Sequence, residues 1–208
     1  MTKSSHKISE AVVRRLPIYL RYLTELSKRE IQTVSSQELG RKLDLNPAQI
    51  RKDLAYFGEF GKKGIGYDVD YLIEKIRHIL KLDREIPVAL VGAGNLGHAL
   101  CNYNRYQKDN MRITAVFDAA PQKIGTAVNH LTVQPMSELV ETVKRLGIRV
   151  GIITVPASEA QNVADRLVEA GIEAILNFAP AILRVPPHVR VHNTDFTMEL
   201  HSLAYYLD

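Results

Sequence analysis

The sequence predicts an α/β protein in two parts, a helical N-terminal part and a C-terminal part built on a parallel sheet. Residues 8–82 carry apolar side chains mainly at helical spacing, and from Ile86 onward short apolar runs alternate with helical segments. Such runs, separated by helices, are typical of parallel strands covered on both faces. The 208 residues suffice for two modest domains.

Basic charge is concentrated in the N-terminal part. Residues 1–85 contain 17 Lys and Arg against 12 Asp and Glu, whereas residues 86–208 contain 10 against 11. This asymmetry favours a polyanionic partner, although an ordinary solvated surface explains it equally well. No apolar run approaches the ~20 residues that span a bilayer, and the N-terminus lacks a secretion signal. Because Cys101 is the single cysteine, no intrachain disulfide can form, and we expect a cytoplasmic location.

The N-terminal part predicts a helix-turn-helix after a first helix over residues 8–26. Ser35 and Glu38 have the spacing of a capping box, and Asn46 and Pro47 are typical first residues of a second short helix. Two short capped helices joined by a tight turn are typical of a helix-turn-helix motif.

The second short helix is the candidate recognition helix. Ile50, Leu54 and Phe57 share one face and are expected to anchor it. The side chains expected to point away or to the flanks are Gln49, Arg51, Lys52, Asp53 and Tyr56. Arg and Lys suit guanine edges and phosphates, and Gln suits adenine, so we expect this helix in a major groove. An ordinary solvated helix is the alternative.

A glycine-rich segment, GEFGKKGIGYDV, follows this helix. It places Lys62, Lys63 and Gly64 at the tip of a predicted wing, where they would reach a DNA backbone or minor groove. Ser36, at the start of the first short helix, completes the candidate DNA contacts. The pattern predicts a winged-helix DNA-binding domain over residues 1–82.

After a linker at residues 83–85, residues 86–193 predict a Rossmann domain, a doubly wound parallel sheet that binds dinucleotides. The pattern G-x-G-x-x-G stands directly after a strand and opens a helix, in the turn Gly92, Ala93, Gly94, Asn95, Leu96 and Gly97. The first glycine allows the turn, the second lets the pyrophosphate approach, and the third lets the helix pack on the strand. The helix N-terminus offers free N–H groups to the phosphates.

Asp118 ends the second predicted strand, 21 residues after Gly97. A carboxylate there accepts hydrogen bonds from both ribose hydroxyls of NAD and repels the 2′-phosphate of NADP, although a turn-capping aspartate is the alternative. Two later strand ends are expected to border the nicotinamide half, because ligands bind beyond the carboxyl ends of such strands. They contribute Thr154, Val155, Pro156, Asn177, Phe178, Ala179 and Pro180.

The sequence provides no acid–base pair near the predicted nicotinamide. Tyr71 and Lys75 match the spacing of the pair in short-chain dehydrogenases, but they precede the dinucleotide fold on a helix whose spacing explains them. His188 and His192 lie about 13 Å apart in an extended segment, too far for one metal ion. We therefore expect no metal and no enzyme, but a protein that binds NAD without consuming it.

The motifs together closely resemble the Rex redox-sensing transcriptional repressors of Gram-positive bacteria. The resemblance covers nearly the whole chain and rests on IRKDLAYFGEFGKKGIGY, VGAGNLG, FD, TVPA, LNFAPA and TDFTMELHSLAYYL. It implies a homodimer whose C-terminal helices, within residues 194–208, are exchanged between subunits. It also implies a repressor that binds palindromic double-stranded operator DNA when NAD⁺ prevails and releases it when NADH accumulates.

The resemblance also assigns roles to single residues. Lys123 joins the cofactor-binding residues. Tyr103 resembles the tyrosine that moves near the nicotinamide, and Phe196 resembles the aromatic residue that the exchanged helix brings into the partner's pocket. Asp195 and Arg15 resemble a carboxylate–arginine pair that links this helix to the DNA-binding domain.

Alternatives remain open from the residues alone. Asp195 is equally a helix N-cap, and Arg14 suits the pairing as well as Arg15 does. A small NAD-dependent oxidoreductase with a helical appendage is one rival function, against which the missing acid–base pair counts. A CoA-binding protein is a second, because VPASEAQNVADRLVEAGIEAILNF resembles the CoA-binding domain of acyl-CoA ligases. A DNA-binding protein with a degenerate Rossmann module is the third.

Overall fold

The computed structural model of the chain describes residues 8–56, 61–62, 66–106 and 110–207. These residues divide into two units, one that ends at Asp83 and one that begins at Arg84. Phe57 of the predicted recognition helix, and Lys63 and Gly64 of the predicted wing, lie outside the described residues.

The N-terminal unit has the winged helix-turn-helix fold that the sequence predicts. Its elements are α1 (Glu10–Lys28), β1 (Thr33–Val34), α2 (Ser36–Leu43), α3 (Pro47–Ala55), β2 (Gly61–Lys62), β3 (Gly66–Asp68) and α4 (Val69–Ile79). The strands form an antiparallel sheet in the order β1-β3-β2, in which the β2–β3 hairpin is the wing. The core is formed where α1, with its buried Leu16 and Leu23, packs against α4.

Both predicted caps of the helix-turn-helix are confirmed. The Ser35 hydroxyl accepts a hydrogen bond from the N–H of Glu38, and the Asn46 side chain accepts one from the N–H of Ala48. Pro47 occupies the first turn of α3. These local hydrogen bonds determine where α2 and α3 begin, because each satisfies an N–H that the helix itself leaves without a partner.

The C-terminal unit is a Rossmann fold. Its elements are β4 (Ile86–Val91), α5 (Asn95–Tyr106), β5 (Met111–Asp118), β6 (Ala127–Val128), β7 (Leu131–Pro135), α6 (Leu139–Arg145), β8 (Val150–Ile153), α7 (Ala157–Glu169), β9 (Ala174–Asn177), β10 (Arg190–Asn193) and α8 (Phe196–Ala204). The sheet has the order β10-β9-β8-β4-β5-β7-β6, with every described pairing parallel except that of β6 with β7. The chain reverses its direction of winding between β4 and β8, where such sheets bind ligands.

Strands β6 and β7 were not predicted from the sequence. Strand β7 pairs in parallel with β5 and carries the short antiparallel β6 on its outer side. Only Val128 and Val133 of the two strands are buried. Because polar residues flank these two valines, the sequence lacks the continuous apolar run that indicates a central strand.

No helix in the described parts of the chain is long and apolar enough to cross a membrane.

Candidate nucleotide and DNA sites

In the glycine-rich turn after β4, protein atoms leave no room for a side chain at two of the glycines, and the remaining glycine has open space beside it that suits a ligand. Gly92 has φ 111°, and a Cβ there would lie 2.6 Å from the carbonyl oxygen of Thr154. A Cβ on Gly97 would collide with the carbonyl oxygen of Gly92. A Cβ on Gly94 would have no atom of the described residues within 4 Å. The fold therefore requires glycine at 92 and 97, whereas the space at Gly94 fits the close approach of a pyrophosphate.

A cleft of about 410 Å³ opens beside this turn. It lies at the carboxyl ends of β4, β5 and β8, which are neighbours in the sheet. Seven predicted cofactor residues line it, namely Gly92, Gly94, Asp118, Lys123, Thr154, Val155 and Pro156. The fold thus brings together residues from three predicted motifs at the expected edge of the sheet.

Asp118 is the polar centre of the cleft. One carboxylate oxygen accepts the N–H of Ala93 at 2.7 Å and the Lys123 ammonium at 3.0 Å, and the other accepts the N–H of Ala120 at 2.8 Å. Burial by itself raises the pKa of Asp118, but these three hydrogen bonds outweigh it and hold the pKa below its ordinary value. The carboxylate is therefore ionised at neutral pH and retains lone pairs for a ribose hydroxyl.

Thr154 supports the turn from the neighbouring strand. Its hydroxyl donates to the carbonyl oxygen of Gly92 at 2.8 Å, and its N–H donates to the carbonyl oxygen of Val91 at 2.9 Å. The side chain therefore holds the turn in place, and its residue contributes to the cleft wall beside Val155 and Pro156, where α7 begins.

Seven lining residues were missed in the sequence, namely Val91, Ala119, Met136, Glu159, Asn162, Val163 and Arg166. The last four recur at helical spacing along α7 and present one face of it to the cleft. The sequence could have indicated these four residues, because the TVPA motif marks the end of β8 and α7 begins there. Met136 follows β7, a strand that was not predicted from the sequence.

The second predicted strand-end loop, residues 177–180, is not among the described lining of this cleft. Asn177 is fully buried, and its amide donates to the carbonyl oxygens of Ala179 and Ala181 and to the side-chain oxygen of Asn193. Its own side-chain oxygen accepts the N–H of Ala179. These contacts show that the Asn177 side chain shapes the loop after β9.

The resemblance implies roles for Tyr103, Asp195 and Phe196, which lie near helix ends or on the surface. Tyr103, on α5, is 62% exposed. The rings of Phe178 and Phe196 stack with their centroids 6.0 Å apart. Asp195 caps α8, because its side chain accepts the N–H of Thr197 at 2.8 Å.

The candidate recognition helix α3 exposes part of the predicted set. Arg51, Lys52 and Tyr56 are exposed, and the Arg51 guanidinium donates to the Ser36 hydroxyl at 3.1 Å. That contact joins the two helices of the helix-turn-helix. Lys62 lies in strand β2 of the wing.

The expectation that Asp53 points outward is wrong. Its side chain is fully buried, and its oxygens accept hydrogen bonds from Arg15 and Tyr19 of α1 and from Gln49 of α3. The periodicity of α3 places residue 53 on a flank, and the long polar side chains of α1 close over it. Gln49 is consequently half-buried rather than free.

Within the described residues, no group of three or more His, Cys, Asp and Glu side chains is arranged to hold a metal ion. Tyr71 and Lys75 lie on α4 in the N-terminal unit, with the Lys75 ammonium 5.1 Å from the centre of the Tyr71 ring. This contact accounts for their spacing without catalysis.

Two family profiles match successive parts of the chain. Residues 7–55 match a family described as putative DNA-binding protein N-terminus, and residues 83–181 match the CoA binding domain. The two profiles fall on the winged-helix region and on the Rossmann fold, respectively. The second match agrees with the likeness to CoA-binding domains noted in the sequence.

Comparison with known proteins extends over almost the whole chain. The redox-sensing transcriptional repressor Rex of Brevibacillus brevis (strain 47 / JCM 6285 / NBRC 100599) is 65% identical over 201 residues, which are 97% of this chain and 97% of that protein. The crystal structure of RSP in complex with beta-NAD⁺ and operator DNA superposes with a TM-score of 0.91 and 40% identity, covering 99% of this chain and 94% of RSP. The crystal structure of RSP in complex with beta-NADH superposes with a TM-score of 0.87 and 38% identity, covering 96% of this chain and 94% of RSP.

The similarity to these relatives extends over nearly the full length of the chain and therefore covers both the winged-helix unit and the Rossmann unit. They do not support an oxidoreductase or a CoA-binding protein as the function, because the relatives are repressors. The chain belongs to the Rex family of redox-sensing transcriptional repressors.

Proposed function

We propose that this protein binds operator DNA through α3 and the wing, binds NAD⁺ or NADH in the cleft beside Gly94, and releases the DNA when NADH replaces NAD⁺. The observation that carries the proposal is the match to RSP, which has been crystallised with NAD⁺ and operator DNA and also with NADH. The chain matches those structures over both units at 38–40% identity. A repressor acts where the chromosome lies, so the cytoplasm is its proposed location.

Discrimination between the two cofactor forms follows from charge. The oxidised nicotinamide ring is positively charged, and the reduced ring is neutral and non-planar. A closed apolar pocket penalises burial of the charged ring and therefore favours NADH. The pyrophosphate and ribose contacts are common to both forms and contribute to affinity without discriminating.

The nucleotide is a better redox sensor here than the single thiol. Cys101 is buried in α5, and burial raises the pKa of its thiol to about 11. A thiol with that pKa is almost entirely protonated at neutral pH and reacts slowly with oxidants. This supports sensing through the cofactor.

The proposed active form is a homodimer that exchanges α8. This helix has no buried residue, and it exposes Phe196, Leu200 and Leu203 along one face. An apolar helix face of this kind favours a protein contact. We further propose that the stacking of Phe178 with Phe196 forms between subunits after the exchange, with Tyr103 and Asn177–Pro180 near the nicotinamide.

A dimer explains how the cofactor controls DNA binding. Two recognition helices fit palindromic half-sites only at the spacing of the DNA helical repeat. If NADH favours a dimer with a different spacing, DNA and NADH each weaken the binding of the other by the same factor. The proposed pairing of Arg15 with Asp195 links the DNA-binding unit to α8. Arg15 pairs with Asp53 in the described chain, so pairing with Asp195 requires a second arrangement of this arginine.

The test is fluorescence anisotropy of labelled operator DNA in the presence of the protein, titrated separately with NADH, NAD⁺, NADPH and CoA. We expect NADH to release the DNA at the lowest concentration, NAD⁺ to leave it bound, and NADPH and CoA to act weakly. Retention of the DNA at saturating NADH would contradict the proposed sensing. Release by CoA at a lower concentration than by NADH would favour the CoA-binding alternative.

A further inference from the structure

The buried Asp53 is the most unusual polar group in the N-terminal unit. It lies in α3 directly after the exposed Arg51 and Lys52, yet its side chain is 0% exposed. A buried carboxylate is rarely a net source of stability, because an apolar residue of similar size often serves as well or better. Its presence in the candidate recognition helix therefore calls for a role other than stability.

The hydrogen bonds to Asp53 are directional and come from two helices. The Arg15 guanidinium donates to both carboxylate oxygens, from Nε at 2.6 Å and Nη2 at 2.8 Å, and the Tyr19 hydroxyl donates at 2.7 Å. Burial by itself raises the pKa of Asp53, but hydrogen bonds from Arg15, Tyr19 and Gln49 hold it below the ordinary value. The group is therefore an anion at neutral pH, paired with a cation.

This network supplies an angular constraint that apolar packing lacks. Ile50 and Leu54 bury α3 in the core, but apolar contact is non-directional and tolerates small rotations of a helix. A bidentate guanidinium–carboxylate pair has one preferred plane. Because Arg15 and Tyr19 both lie on α1, the pair fixes the rotation of α3 relative to α1.

The same carboxylate determines how Gln49 is turned. The Gln49 amide nitrogen donates to Asp53 Oδ1 at 2.6 Å. An ionised carboxylate only accepts hydrogen bonds, so the NH₂ group of Gln49 must face it and the amide oxygen must face away. Gln49 lies in the first turn of α3, and N-terminal residues of a recognition helix contact base edges.

We propose that Asp53 is a positioning residue for operator recognition, which holds α3 at one rotation on α1 and fixes the amide of Gln49 for contact with one base pair. This inference rests on the proposed DNA-binding function and deepens it. Gln49 reads the base, and Asp53 acts through Gln49 without touching DNA.

The experiment measures anisotropy on a set of operators that each differ by one base pair. Gln49→Ala identifies the base pair that Gln49 reads, as the position where discrimination is lost. We expect Asp53→Asn to lower the discrimination between base pairs at that same position by roughly tenfold. The milder Tyr19→Phe should lower it by less. The double variant Asp53→Asn with Gln49→Ala should discriminate there no worse than Gln49→Ala alone, because both act through one contact.

Ile76→Val is the matched control, since Ile76 is buried in α4 in the core of the same unit. It should lower the melting temperature without changing base preference. NADH affinity should stay unchanged in Gln49→Ala and in Ile76→Val, because neither residue lies in the Rossmann unit or pairs with Arg15. If Asp53→Asn does not fold, Tyr19→Phe still decides the matter.

Folded variants with unchanged base preference, or additive losses in the double variant, would overturn the positioning role and leave Asp53 as a structural residue. A separate result, failure of the unsubstituted protein to bind any operator, would refute the proposed function and the positioning role with it.

Discussion

Gly94 differs from Gly92 and Gly97 in the reason why the position needs a glycine. Protein atoms exclude a side chain at Gly92 and Gly97, whereas the described residues leave the space beside Gly94 empty. An identical residue type in one short motif therefore serves two purposes, close packing of the protein and access for a ligand. The space around each glycine fits the separate role that the motif predicts for it.

This difference predicts that Gly94→Ala weakens NADH binding without weakening the fold. An added methyl group at Gly94 meets no described atom but takes space beside the proposed pyrophosphate. We expect the Kd for NADH to rise by roughly tenfold, about 1.4 kcal/mol, and the free energy of unfolding to stay the same. Calorimetric titration and urea unfolding measure the two quantities.

Gly97→Ala is the matched control for Gly94→Ala. Its methyl group collides with the Gly92 carbonyl, so we expect a loss of stability of about 1–3 kcal/mol as well as of NADH affinity. Normal NADH affinity in Gly94→Ala would place the pyrophosphate elsewhere.

Asp118 and Asp53 show which side-chain positions can be predicted from the sequence and which cannot. Asp118 was predicted as a site residue because one strand end and one spacing define it locally. Asp53 was assigned to an exposed position because its burial depends on Arg15 and Tyr19, which lie 38 and 34 residues away along the chain. Long-range polar partners leave no periodic signal around residue 53.

At the scale of elements, helices were easier to predict than short strands. The caps at Ser35 and Asn46 are local hydrogen bonds, so residues within one turn determine them. Strand β7 depends on pairing with β5, and β6 depends on β7. A two-residue strand such as β6 exists only because a neighbouring strand supplies its hydrogen-bond partners.

The exposed apolar face of α8 predicts that charges there abolish the dimer. Leu200→Asp together with Leu203→Asp places two carboxylates where we propose that the partner subunit packs. We expect light scattering after size exclusion to report single chains instead of pairs. Operator affinity should fall by at least tenfold, because one chain then contacts one half-site.

His201→Asp tests whether charge alone causes this effect. His201 lies on the same helix, away from the face that carries Leu200 and Leu203. It should leave the oligomeric state unchanged. A doubly substituted protein that remains paired would contradict the proposed exchange of α8.

At the scale of the whole molecule, the described part of each unit contains one buried carboxylate whose pKa is lowered, Asp53 in the winged helix and Asp118 in the Rossmann fold. A carboxyl with a lower pKa in the folded than in the unfolded chain makes the fold more stable at neutral pH than in acid. This stabilisation is lost as the pH falls below the ordinary value of about 3.9 and through the folded pKa. We therefore expect both units to lose stability on acidification.

Amide hydrogen exchange between pH 5 and pH 3, corrected for the intrinsic pH dependence of exchange, measures this loss separately in α1 and in β4. Asp53→Asn should reduce the pH dependence in α1 and leave that of β4 unchanged, and Asp118→Asn should do the reverse. Equal effects of either variant on both elements would show that the two units do not unfold separately.

The sequence by itself determined the class of this protein, its two units, the glycine-rich turn and Asp118, because caps, periodicity and motif spacing are properties of adjacent residues. Only the tertiary structure decided which face of α7 enters the cleft, that Asn177 shapes its own loop, and that Asp53 is buried under α1. These features depend on contacts between segments distant in the chain. Their geometry arises only when the elements pack, because packing brings the hydrogen-bond partners together.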